Sequence, residues 1–330
     1  MPKVTVCVPT YNRQHFLSVA IASVLAQTYA DWELVVCDDG STDGTPEMMT
    51  QYQDPRIRYI RHETNIGKSN NMRSGYEAAT GEYFIKFDDD DRLTPDFLTQ
   101  TSSILDQYPD VDFVGTDHWL IDEQNQRNPE ATQTNSQRWG RHQLTPGLVD
   151  NLLEVVFVQQ SFQVGATLFR YSALKAVDFM RPNLQNCEDN DLFVRLALAG
   201  KVAYYLPELL MEYRFHGEQQ GLQRDIRYLT DKVAYLEYFQ FDTDSLEKNR
   251  RSRLAESQLM LGLRLIEAGD STQGRNLIQQ SNQYTGGSRK ATLALLLSYL
   301  PLSLNHTLLN RWRKVRPADY AEQVRQGQNQ

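Results

Sequence analysis

Between Val4 and Thr116 the chain alternates short β-rich runs with segments of helical period, and this pattern limits the folds open to it. "VTVCVP" (4–9), "WELVVCDD" (32–39), "IRYIRH" (57–62), "EYFIKFDD" (82–89) and "VDFVGT" (111–116) read as strands. Between the first two, Phe16, Leu17, Ala20, Ile21, Val24 and Leu25 recur at the spacing of one buried helical face. Helices are expected around 68–79 and 95–107, the second opened by Thr94 as cap and Pro95 at its first position. Strands separated by helices require right-handed crossovers and a mainly parallel, Rossmann-like α/β sheet flanked by helices. Ligands of such sheets bind at the carboxyl ends of the strands.

That rule gives meaning to two acidic clusters. Asp38-Asp39 ends one predicted strand, and Asp88 to Asp91 ends another. Both should open on one sheet edge, where adjacent carboxylates suit a cation and a ligand better than a solvated face. Three more specific motifs do not fit. "DGSTDGTPEMMT" from Asp39 follows a calcium loop for six positions but ends on Thr50 rather than a bidentate Glu. "DDGST" has the wrong order for a DxDGT phosphatase, and "PTYNRQHF" replaces the glycine-rich turn of a dinucleotide fold.

Further along, 117–146 reads as a long polar, irregular excursion carrying Trp119 and Trp139. A helix is expected at 147–157, strands at 164–170 and 201–207, and a helix at 188–200. After about 220 only helical signals remain, with a hairpin turning at Gly269-Asp270 and a helical stretch from 288 to 314. A boundary near 218 divides a catalytic region, 1–218, from a helical extension, 219–330, that serves packing, self-association or membrane-surface contact.

The net charge of -8 argues against a nucleic-acid partner, which would want a basic footprint. Yet 271–318 contains no Asp or Glu and holds Arg275, Arg289, Lys290, Arg311, Arg313, Lys314 and Arg316. Its Leu-rich "ATLALLLSYLPLSLNHTLLNRWRKVR" fits an interfacial helix on anionic headgroups or a buried packing face. Cys7, Cys37 and Cys187 lack metal-site spacing and read as buried thiols of a reducing compartment. "MPKVTVCVPT" reads as a strand rather than a leader, and no apolar run reaches membrane-spanning length. A cytoplasmic location, with peripheral contact at the inner membrane face through 288–316, is the expectation.

Six motifs, "VCVPTYNR", "ELVVCDDGSTDGT", "NIGKSNNMRSGYEAATGEYFIKFDDDD", "VGATLFRYSAL", "CEDNDLFVRLALAG" and "YRFHG", occur in the order and spacing seen in family 2 glycosyltransferases of the GT-A fold. The chain resembles the inverting, non-processive bacterial members over roughly residues 3–218. "QRW" (137–139) lacks the spacing of the processive QxxRW signature and precedes the Asp189 motif.

The resemblance implies a nucleoside diphosphate sugar as donor, with a UDP-sugar favoured, and a hydroxyl of a glycan or lipid-linked glycan as acceptor. It implies polysaccharide biosynthesis as the setting, hexosyl transfer as the reaction, and a divalent cation, Mn²⁺ or Mg²⁺, as cofactor. Such a cation would neutralise the departing diphosphate. Asp189 matches the general base of inverting members, which takes the acceptor proton. Its alternative is a helix N-terminus carboxylate, a reading stronger for Glu188 and strongest for Asp191. Asp90 and His216 match metal contacts. Asp88 and Asp89 match the nucleotide side of the DxD pattern, and Asp39 the carboxylate that bonds the base. Pro9, Thr10, Tyr11 and Arg13 would line the nucleotide pocket, although Arg13 could equally pair with an acid. Lys68 would approach the nucleotide or stay solvated, and Asp38 reads equally as a turn residue. Met72-Arg73 stands where the family often has Arg-Asn, which leaves contacts there open. Trp119 and Trp139 offer faces for acceptor sugars, with core packing an equal reading for Trp119. Two competing readings are nucleotidyl transfer onto a sugar phosphate and a sugar-nucleotide-binding scaffold without turnover.

Overall fold

The computed structural model describes residues 1–215, 221–285 and 289–299. Two compact units divide the chain, Met1–His216 and Gly217–Gln330.

In the first unit the strands are β1 (Val4–Thr10), β2 (Trp32–Asp38), β3 (Ile57–Arg61), β4 (Tyr83–Lys86), β5 (Arg92–Leu93), β6 (Phe113–Ile121), β7 (Gly147–Leu148), β8 (Thr167–Arg170) and β9 (Ala203–Arg214). They form one sheet of order β3-β2-β1-β4-β8-β6-β9-β5, with β7 on β9. The β3-β2-β1-β4 half is parallel. β8 enters antiparallel to both β4 and β6, and β6 pairs in parallel with β9. The carboxyl ends of β1, β2, β4, β6 and β9 therefore share one edge.

The helices are α1 (Gln14–Leu25), α2 (Thr45–Met49), α3 (Lys68–Ala78), α4 (Phe97–Gln107), α5 (Pro129–Arg138), α6 (Leu152–Glu154), α7 (Tyr171–Ala176) and α8 (Glu188–Leu198). Alternation along β1 sets the layers. Val4, Val6 and Val8 join the core that contains Leu17, Ala20, Ile21 and Val24 of α1. Cys7 points to the other face, where α3 lies so close that a Cβ on Gly75 would sit 2.3 Å from its sulfur. Both faces are covered, so β1 and β2 are buried along their whole length. Cys7, Cys37 and Cys187 are buried free thiols.

Three local expectations are corrected. Residues 117–146 are largely ordered: β6 continues to Ile121 because β9 runs on to Arg214 and pairs with it across a bulge at Asp117. The polar residues that follow form α5, capped by the Asn128 side chain with Pro129 at its first position. The 147–157 segment is not one helix. Gly147-Leu148 pairs with Tyr204-Tyr205, and α6 leads into a π-helical turn, Val155–Gln159. Finally, α4 starts at Phe97 behind Asp96 rather than at Pro95, because the Thr94 hydroxyl donates to the Leu210 carbonyl at 3.1 Å.

The second unit contains α9 (Leu222–Tyr238), α10 (Asp244–Glu267), α11 (Ser271–Thr285) and α12 (Arg289–Leu297). The expected hairpin turns at Gly269, whose φ of +100° is open to glycine. Asp270 then caps α11 by accepting from the Gln273 N–H at 3.0 Å. Gly262 and Gly274 let the two backbones touch, since a Cβ on Gly262 would lie 2.6 Å from the Gly274 carbonyl oxygen. Among the described residues no helix is long and apolar enough to cross a membrane. The 300–316 part of the proposed membrane-facing stretch lies outside them.

Candidate active site

The turn after β2 shows how adjacent acids divide their work. Asp38 is fully buried and accepts from the Ser41 N–H at 2.8 Å and from the Tyr59 hydroxyl, as a turn residue does. Gly40, at φ +78°, lets the chain reverse against the backbone of Thr64-Asn65. Asp39 turns the other way: its two oxygens accept the N–H groups of Ile66 and Gly67 at 2.7 and 3.1 Å. It thereby ties the β2 end to the loop that starts α3, and each oxygen retains a lone pair for a further donor. Beside it, Pro9 and Thr10 are buried at the end of β1, while Tyr11 is 45% exposed.

The acidic run after β4 is a charge network rather than a solvated loop. Lys86, a fully buried lysine in an otherwise apolar strand, donates to both oxygens of Asp88 at 2.8 Å. Burial disfavours the Asp88 carboxylate, but Lys86 and Lys68 outweigh it and hold its pKa well below the usual range. Arg13 bridges Asp89 at 3.1 Å and Asp90 at 2.8 Å. Asp89 is almost inaccessible, and burial plus repulsion from Asp90 push its pKa up to about 7 against the pull of Arg13 and the Thr10 hydroxyl. Asp91 is a structural clamp. It is buried, accepts the Arg214 N–H at 2.9 Å, and is pushed well up by burial and by Asp90. Arg214 also donates through Nε to the Asp90 carbonyl at 2.6 Å, fastening the end of β9 to the acidic loop.

The other key acids lie on the first turn of α8, which Cys187 enters at φ +64°. Lys68 pairs with Glu188 at 2.9 Å and lies 3.9 Å from Asp88. Asp189 stands 3.9 Å from the Lys86 ammonium, so one buried lysine joins the β4 acids to the α8 acids. Its side chain is 33% exposed, and its Oδ1 accepts no hydrogen bond. Burial and the Glu188 charge, opposed by Lys86 and Lys68, push its pKa up to about 6. Asp191 is structural: fully buried, it pairs with Arg195 at 2.7 Å and Arg181 at 2.6 Å.

Of the sequence candidates, Arg13, Lys68, Asp88, Asp89, Asp90 and Asp189 thus stand on one connected network, with Thr10, Asp39 and Tyr11 on its β1–β2 flank. His216 lies outside the described residues. Two contributors were not singled out as site residues, Lys86 and Arg214. A lysine inside the apolar run "YFIKF" was the available signal for the first. Arg214 had none, because its partners lie about 90 to 124 residues away. Gln185 was also missed: it accepts the Lys68 N–H at 2.8 Å and so fixes the α8 approach to α3.

Six carboxylates (Asp88, Asp89, Asp90, Asp91, Glu188, Asp189) face four cations (Arg13, Lys68, Lys86, Arg214). Burial first, and neighbouring carboxylates next, raise the pKa values of Asp89, Asp91 and Asp189. Carboxylate oxygens are the preferred ligands of a hard divalent cation. Among the described residues no three His, Cys, Asp or Glu side chains group around one metal position. The carboxylates present are hard oxygen donors of the type such a cation takes.

Comparison with known proteins bears on the family and the fold. The family model for glycosyl transferase family 2 matches residues 5–164. The putative glycosyltransferase EpsE of Bacillus subtilis (strain 168) is 30% identical over 218 residues, covering 64% of this chain and 73% of the relative. WfgD of Escherichia coli, a UDP-Glc:alpha-D-GlcNAc-diphosphoundecaprenol beta-1,3-glucosyltransferase, is 39% identical over 88 residues, 27% of this chain and 35% of its own. Among solved structures, S. aureus TarS 1-349 in complex with UDP-GlcNAc superposes with a TM-score of 0.61 at 17% identity, covering 98% of this chain and 92% of that one. The mannosyltransferase PcManGT from Pyrobaculum calidifontis, in complex with GDP-Man and Mn²⁺, gives 0.57 at 18% identity, covering 93% and 85%. Both structures share the fold, a central sheet flanked by helices.

Proposed function

Since the chain belongs to glycosyl transferase family 2, we propose that it moves one sugar from a nucleoside diphosphate donor, with UDP-sugars favoured, to a hydroxyl of a glycan or lipid-linked glycan, with inversion. The observation that carries this reading is Asp189: a carboxylate one-third exposed, whose buried Oδ1 accepts no hydrogen bond and lies 3.9 Å from Lys86, the lysine that also holds Asp88. Its raised pKa suits a base that must accept a proton and later release it near neutrality. In the single displacement, the acceptor O–H gives its proton to Asp189 as its oxygen bonds the anomeric carbon. The bond from that carbon to the diphosphate oxygen breaks on the opposite side.

The other residues hold and orient. Asp39, Thr10 and Tyr11 would receive the nucleotide at the β1–β2 edge. Lys86 and Lys68 keep Asp88 ionised, Arg13 bridges Asp89 and Asp90, and Lys86 keeps Asp189 from drifting toward a higher pKa still. Asp90, with His216 as a second candidate, would hold the divalent cation, which when bound supplies Lewis-acid neutralisation of the departing diphosphate. The relatives support the substrate class. WfgD acts on a diphosphoundecaprenol-linked sugar, and a 41% identical segment matches the GalNAc(5)-diNAcBac-PP-undecaprenol beta-1,3-glucosyltransferase of Campylobacter jejuni. A cytoplasmic enzyme working at the inner membrane face fits such acceptors.

Asp189→Asn tests the reading. Thermal stabilisation by UDP-sugars with Mn²⁺ should survive, while transfer falls by about 10²–10⁴-fold. Unchanged transfer, or a product retaining the donor's anomeric configuration by NMR, would overturn it.

A further inference from the structure

A cleft of about 420 Å³ has a lining that includes Gln137, Trp139, Gln143, Val158 and Gln159. Its size falls in the range of roughly 300–1,000 Å³ usual for small-molecule sites. The floor is built rather than incidental. The buried Arg141 pairs with Asp117 at 2.7 Å, and Asp117 also accepts the Ser136 hydroxyl at 2.8 Å, which fixes α5 on β6. Gly140, at φ +68°, turns the chain back under Trp139. The opposite wall is the π-helical turn Val155–Gln159, which ends on Gln160 at φ +55°. The Ser161 hydroxyl donates to the Trp139 carbonyl at 2.7 Å and locks the two walls together.

The lining chemistry is specific. Three glutamine amides, each able to donate and accept, surround a half-buried indole, with Val158 as apolar wall. Among the described residues no carboxylate lines the cleft, and its one cation, Arg138, is exposed and sits 5.6 Å from the Trp139 ring centre, a loose contact. Amides around an aromatic face match the alternating hydroxyls and C–H face of a neutral pyranose. Position supports the same ligand. The candidate nucleotide residues end β1 and β2, whereas the cleft is built on β6, beyond β4 and β8 in the sheet. The π-helical wall packs on α8, whose first turn presents Asp189.

We propose that this cleft is a saccharide subsite for the acceptor chain, in which Trp139 stacks on a neutral sugar ring away from the reacting hydroxyl. The assignment rests on the transferase reading above. Saturation-transfer NMR on the full chain with lactose, maltose and N,N′-diacetylchitobiose, in the presence of UDP and Mn²⁺, tests it. At least one disaccharide should receive saturation, and Trp139→Ala should reduce that signal at least about fivefold with the melting temperature preserved. Gln143→Leu, at an exposed position, should weaken the same signal without risk to the fold. UDP-sugar thermal shifts should be unchanged in both variants. No saturation of any of the three sugars, or saturation unchanged from the wild type in both variants, overturns the subsite while leaving donor binding and the transferase reading intact. Trp139-dependent sugar binding without any nucleotide-sugar shift would sustain the cleft and sink the transferase reading instead.

Discussion

At the scale of single residues, neighbouring carboxylates differ through what each one faces. Asp88 faces a buried lysine and stays ionised, whereas Asp89 faces Asp90 with only a shared guanidinium between them. For Asp89 the folded pKa of about 7 exceeds the unfolded value near 4, so the native state binds its proton more tightly. Stability is therefore lost as pH rises from about 4 through 7, and the full cost applies above that window. Asp89→Asn should raise stability at pH 8 by up to ~4 kcal/mol, with the gain vanishing below about pH 4. Urea unfolding at a series of pH values, without donor or metal, checks this, and a destabilised variant at pH 8 would refute it. Asp189 carries a prediction for rate. Because the ionised form is the base, transfer should fall with unit slope as pH drops below about 6 and level off above. A pH–rate profile of kcat/KM reads it directly.

At the scale of elements, the site depends on how closely α3 can lie on β1 and β2. Gly75 permits that approach, with the Cys7 and Cys37 sulfurs 2.3 and 2.7 Å from where its Cβ would stand. Gly75→Ala must push α3 outward, and with it Lys68 at the start of the helix and the 65–67 loop that Asp39 holds. A loss of about 1–3 kcal/mol is expected from overpacking. Donor affinity should fall as well, measured by UDP-sugar titration. Stability loss with donor affinity intact would show that the helix start is held independently, through Gln185.

At the scale of the whole molecule, charge is divided along the sequence. The overall charge is -8, yet the 271–318 stretch carries basic residues only. Anionic headgroups attract such a segment by about 1 kcal/mol per Lys or Arg, and salt screens the attraction. The full chain should float with vesicles rich in phosphatidylglycerol at low salt and be released at high salt. Replacing Arg311, Arg313, Lys314 and Arg316 together by Gln should abolish flotation, whereas flotation indifferent to headgroup charge would argue for packing of the Leu-rich face instead.

The α/β class, the strand-end location of the acids and the hairpin at Gly269 were all legible in the sequence, because periodicity and turn chemistry are local properties. Asp191 was legible as a first-turn carboxylate of α8, but its buried pairing with Arg181 was not, because that partner is brought to it by folding. The extension of β6 through Asp117 was not, because a polar segment becomes a strand only when β9 runs alongside it. The start of α4 was likewise decided at a distance, by the Leu210 carbonyl that claims Thr94. The links among Arg13, Lys86, Arg214 and the acids exist only after folding brings strand ends together. Local sequence decides which elements form and which groups they carry. Tertiary structure decides which charges meet, because Coulomb interaction and burial depend on distance through space rather than along the chain.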